Sequence, residues 1–261
     1  GNAWLIFMLP HSVIAVSIAT AYFTRMSEHA ARGDMAAVRS DLSAAARGIG
    51  LLICLATLVI IVCSPFIGAV FMPGDHVGIV AFGSIVVAYV IGLLPFSLLF
   101  LVQRTFYTLG DTRTPFLYTL LQVVLICFGS IAIARIAPAF IATAIALLVS
   151  FAGIVQLVVA AGLLKRRIGG LDGRRVAASF ARYAIAAIPA VFSGLLITGV
   201  IGLIDPATHL GVETRLGAIL TMAGISLTMS VFYLGALWVL RSRELRDTVN
   251  QLRARGRSTA E

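Results

Sequence analysis

Seven long apolar runs, set apart by short stretches that hold nearly all the charge, limit what this chain can become more than any other feature of it. Crossing about 30 Å of hydrocarbon takes roughly 20 helical residues at about 1.5 Å each. The runs at 3–23, 48–72, 78–102, 115–134, 138–163, 183–204 and 215–240 all reach that length. With 60% hydrophobic and only 12% charged residues among 261, a water-soluble core is implausible, and no length is left for a separate soluble domain. The sequence therefore predicts an all-α fold, a polytopic membrane bundle of seven transmembrane helices.

The gaps carry local signals of their own. Gly33 suits a helix stop and Asp34 an N-cap, after which Met35 to Arg47 continue as a polar helical extension of the second span. The first two spans should thus protrude as a hairpin beyond the bilayer. Gly110-Asp111 reads as a turn, and Thr114-Pro115 as a cap followed by proline at the first helical position. Lys165-Arg166-Arg167 close the fifth span, and a Gly-rich turn leads into Arg174 to Arg182, a basic amphipathic segment expected to lie at the membrane surface. The composition changes there, which divides the chain into 1–163 with five helices, 164–240 with an added helix pair, and a basic tail at 241–261.

The formal charge of +9 does not point to nucleic acid, because the charges lie in the gaps and not along one folded stripe. They read as topology signals. Alternate gaps hold four basic residues (24–47), two (103–114), six (164–182) and six (241–261), against Arg135 and Arg215 alone on the other side. By the positive-inside rule the amino end is outside and the carboxyl end cytoplasmic, with the loops at Pro73 to Val77, Arg135 to Pro138 and Asp205 to Thr214 facing outward.

Little in the chain suits covalent chemistry. Cys54, Cys63 and Cys127 all lie in apolar runs, without a CxxC or Cys/His cluster for a metal. No nucleophile–base set or phosphate-cradling glycine loop has the needed spacing, so neither enzyme activity nor a cofactor is expected. None of the 11 acidic residues falls inside a span, which leaves no membrane carboxylate for ion coupling. His11, beside Pro10, is the clearest polar anomaly at membrane depth; it either faces a cavity or is a neutral histidine bonded to a neighbouring helix. Gln103, Gln122 and Gln156 read as interhelical hydrogen-bond partners. Seven spans also match a membrane receptor, but a retinal protein needs a lysine within a span and the only lysine is Lys165, in a gap.

Two stretches resemble a known family. One runs from Leu9-Pro10-His11-Ser12 through Arg25-Met26-Ser27 to Ala31-Arg32-Gly33-Asp34; the other is Arg104-Thr105-Phe106-Tyr107 with Asp111-Thr112-Arg113-Thr114-Pro115. Both are similar to segments of the lipid II flippase family MurJ, also called MviN, of the multidrug/oligosaccharidyl-lipid/polysaccharide exporter superfamily. The resemblance implies the carboxyl-terminal half of a flippase in the bacterial cytoplasmic membrane, with a further amino-terminal lobe before Gly1 as its partner and the pair at 164–240 forming a groove for the lipid tail. It implies lipid II, or a similar polyprenyl diphosphate glycolipid, as substrate, moved from the inner to the outer leaflet by alternating access. An exporter of another polyprenyl-linked oligosaccharide would share these features. Family members carry charged residues before the proline of the first helix, where this chain has Trp4, Leu5 and Met8. Arg104, Asp111 and Arg113 are then the candidate gate residues, through an Asp–Arg contact, unless that loop is a plain capped turn. Arg25 and Arg32 are candidates for lipid phosphates, and His11 completes the set.

Overall fold

A computed structural model of the chain describes residues 2–73, 75–135, 137–204, 214–242 and 244. The expected tail beyond residue 244 and most of the loop at 205–214 lie outside the described residues. The described residues form helices joined by short turns, without a strand, and include seven helices long and apolar enough to cross a membrane.

The first span, Asn2–Ala31, consists of α1 (Asn2–Pro10), a π-helical segment (His11–Val16) and α2 (Ser17–Ala31). Proline lacks the N–H that would bond the carbonyl four residues back, and the widened turn follows directly after Pro10. Gly33, at φ 73°, ends α2, and the Asp34 carboxylate accepts from the Ala37 N–H at 3.0 Å to start α3 (Met35–Phe71). At 37 residues, or about 55 Å, α3 is longer than a bilayer core is thick, so a polar portion projects as expected.

The third span is broken where the sequence suggests one helix over 78–102. It forms α4 (His76–Val90) and α5 (Leu93–Thr108). Pro95 cannot donate to the Ile91 carbonyl, and its ring crowds that carbonyl, so the ladder opens at Ile91 and Gly92. Ser150 stabilises the opening: its hydroxyl donates to the Ala88 carbonyl at 2.7 Å and lies 3.2 Å from that of Tyr89. Gly92 is required there, because a Cβ would come within 2.9 Å of the Ser150 Cα.

The remaining spans are α6 (Arg113–Ile133), α7 (Pro138–Arg167), α8 (Gly173–Ile204) and α9 (Arg215–Val239). The basic stretch from Arg174 to Arg182 is the first part of α8 itself, because no residue before Pro189 interrupts the helix. Central to the bundle is α3, which touches α2, α4, α5, α8 and α9. Its Gly68 comes so close to α4 that a Cβ would lie 2.5 Å from the Ile79 carbonyl oxygen, a small-residue contact of the kind that holds membrane helices together. On the opposite flank, α6 packs on α7 and buries only Pro115 and Tyr118, leaving Phe116, Leu120 and Phe128 exposed as lipid contact would require.

Candidate functional site at the basic end

The turn between α5 and α6 folds from its own sequence. Gly110, at φ 69°, takes the left-handed conformation, while the Asp111 N–H reaches the Phe106 carbonyl at 3.0 Å and the Gly110 N–H that of Tyr107 at 3.1 Å. Together they close the carboxyl end of α5. The Asp111 carboxylate then accepts from the Thr114 N–H at 3.0 Å and from its hydroxyl at 2.7 Å, capping α6. These two bonds from Thr114 hold the Asp111 carboxyl below its ordinary value, with Arg167 adding a weaker attraction.

The structure does not bring Arg104, Asp111 and Arg113 into one cluster of side chains. The Arg104 guanidinium lies 5.1 Å from the centre of the Phe100 ring and 5.6 Å from that of Phe23, a cation–π arrangement. Arg113 is exposed and forms no ion pair among the described residues. Arg25 and Arg32 are both engaged within the hairpin. Arg25 pairs at 2.9 Å with Asp41, a carboxylate 5% exposed, and His29 Nε2 lies 3.5 Å from the other oxygen of Asp41. Arg32 donates to His29 Nδ1 at 2.9 Å, which assigns the proton of a neutral ring to Nε2, facing Asp41.

His11 is buried, with its Nδ1 3.2 Å from the Ser97 hydroxyl on α5 and its ring against Phe96 and Phe100. The π-helical segment of the first span thus bonds to α5 two residues beyond Pro95, joining the two interrupted helices. Gln156 reaches across from α7 to Thr119 of α6 at 3.4 Å, whereas Gln103 bonds Tyr107 of its own helix at 2.7 Å.

Two groups were not singled out in the sequence. Glu244 accepts from Ser179 at 2.6 Å and from Ser242 at 2.7 Å, and lies 3.4 Å from Arg47 and 3.7 Å from Arg182. It ties the end of α9 to α3 and α8. Arg166 and Arg167 line a hollow of about 260 Å³ beside the Asp111 turn, and Arg167 also borders a neighbouring one of about 400 Å³. Their signal in the sequence was present, but as topology charges only.

Seven spanning helices, two of them interrupted side by side within the apolar region, and a basic end closed by capped turns define an all-helical polytopic membrane protein. Residues 1–236 match the family described as lipid II flippase MurJ, and the chain belongs to that family. Membership makes it a multi-pass protein of the bacterial inner membrane. It is similar to a probable lipid II flippase MurJ of Borreliella burgdorferi, with 26% identity over 135 residues, 49% of this chain and 27% of the relative. In fold it resembles a lipid II flippase MurJ solved in an inward closed conformation, with TM-score 0.62 and 18% identity over 90% of this chain and 46% of that one. The chain spans less than half the length of either relative.

Proposed function

We propose that this chain is the carboxyl-terminal part of a flippase that carries the lipid-linked peptidoglycan precursor lipid II from the inner to the outer leaflet by alternating access, without covalent chemistry or a cofactor. The family match over residues 1–236 carries this reading. Physically, a polyprenyl diphosphate sugar needs a wet, cationic path for its head group while its tail stays in lipid, and a bundle of broken helices can supply one. In this reading residues 1–163 belong to one lobe, α8 and α9 form an added pair whose groove takes the lipid tail, the basic end faces the cytoplasm, and a further lobe of the same protein completes the cavity.

The turn at Asp111 is the proposed cytoplasmic gate element, with Arg104 and Arg113 on either side of it; Arg25 and Arg32 would stiffen the adjoining hairpin. Reconstitution of the intact protein into proteoliposomes tests the substrate. Translocation of lipid II is expected, and movement only of another polyprenyl-linked glycan would assign the chain a different cargo. For the gate, Asp111→Ala and Arg113→Ala proteins made at normal levels should fail to support growth; normal growth of both would remove the gate role.

A further inference from the structure

Most arginines at the basic end are already engaged. Arg25 pairs with Asp41, Arg32 with His29, Arg47 and Arg182 with Glu244, and Arg175 with Asp172. Arg39 donates to the Ile168 and Gly169 carbonyls at the end of α7, and Arg104 stacks on two rings. By contrast, Arg166 and Arg167, in the last turn of α7, are exposed and form no ion pair among the described residues. Lys165 precedes them and Arg113 opens α6 across the same turn, so cationic charge accumulates where two elements meet. Asp111 is the carboxylate beside it, and both of its oxygens are taken by Thr114.

The hollow that Arg166 and Arg167 line has Phe106 and Leu163 as apolar walls and Thr114 and Asp111 as polar ones. A cationic rim over an apolar wall suits the junction between a lipid's phosphate and its chain. Its depth is also right. The 21 residues of α6 span about 31 Å, close to the thickness of the hydrocarbon layer, which puts Arg113 and the adjoining turn at headgroup level.

We infer that the Arg166–Arg167 pair and the Asp111 turn form a binding site for a phosphate-bearing lipid headgroup, best filled by the diphosphate of a polyprenyl carrier. The guanidinium groups take the phosphate oxygens, Phe106 and Leu163 meet the first carbons of the chain, and Thr114 occupies both oxygens of Asp111 with hydrogen bonds, so that this carboxylate forms no close ion pair with either arginine. The choice of the polyprenyl diphosphate over an ordinary anionic phospholipid rests on the transport reading above; the site itself does not.

The test uses the intact protein in phosphatidylcholine nanodiscs and measures binding of undecaprenyl diphosphate, phosphatidylglycerol and inorganic pyrophosphate. The double variant R166Q/R167Q should bind undecaprenyl diphosphate about tenfold more weakly, while R174Q on α8 leaves it unchanged. R166K/R167K retains the charge that sets topology and guards against misfolding as the cause; it should bind better than the glutamine pair. Arginine-dependent binding of phosphatidylglycerol alone supports the site with a membrane lipid as its source. Unchanged binding of both lipids in R166Q/R167Q, or arginine-dependent binding of pyrophosphate in place of the lipids, overturns the inference. Arginine-dependent lipid binding in a protein that fails to move lipid II would sink the transport reading and leave the site standing.

Discussion

Glu244 is the residue whose surroundings make the sharpest demand. Burial pushes its carboxyl up, but hydrogen bonds from Ser179 and Ser242 and the charge of Arg47 outweigh this and leave it below its ordinary value of 4.5. A carboxyl lowered on folding contributes stability that is present above that ordinary value and lost as pH falls through the lower folded one. Glu244→Gln should therefore cost about 1–3 kcal/mol at pH 7, read as a lower Tm in detergent, and the gap should narrow as pH falls below the ordinary value of 4.5. A gap that persists in acid would show that the carboxylate charge is not what holds α9 to α3. At Asp111 the expected cost of losing the cap in Asp111→Ala is about 1 kcal/mol, most of it recovered in Asp111→Asn. If Asp111→Asn is stable but cannot support growth, the carboxylate has a role beyond capping.

At the scale of elements, the paired interruptions dominate. Pro10 opens the first span into a π-helical segment and Pro95 breaks the third, and the His11–Ser97 contact joins them. Ser150→Ala would leave the Ala88 and Tyr89 carbonyls without their side-chain donor, at a cost of about 1 kcal/mol. Gly92→Ala would force α5 and α7 apart and should cost more, about 1–3 kcal/mol, measured as a fall in Tm. The prolines were visible in the sequence, but the bonds that accommodate them were not, because Ser150 lies 62 residues from Ala88. The spans, the Gly33–Asp34 hairpin and the Gly110–Asp111 turn were legible because each depends on residues close together in the chain, but the cap expected at Thr114 belongs to Asp111, whose carboxylate accepts from Thr114, and α6 starts two residues before Pro115, at Arg113. The Glu244 cluster and the engagement of Arg25 by Asp41 depend on the packing of separate helices, so counting charges by loop could not separate paired arginines from free ones.

For the whole molecule, the charge asymmetry predicts orientation. A cysteine introduced at Gly33, in the hairpin tip, should react with an impermeant reagent only after the inner membrane is opened, and one introduced at Val77 should react in intact spheroplasts. The reverse pattern would invert the bundle and the proposed direction of transport with it. Function is tested most directly by depleting the full-length protein in its host and assaying which leaflet holds lipid II. Accumulation in the inner leaflet, reversed by the intact gene, is the result predicted; an unchanged distribution between the leaflets would contradict the assignment as a lipid II flippase.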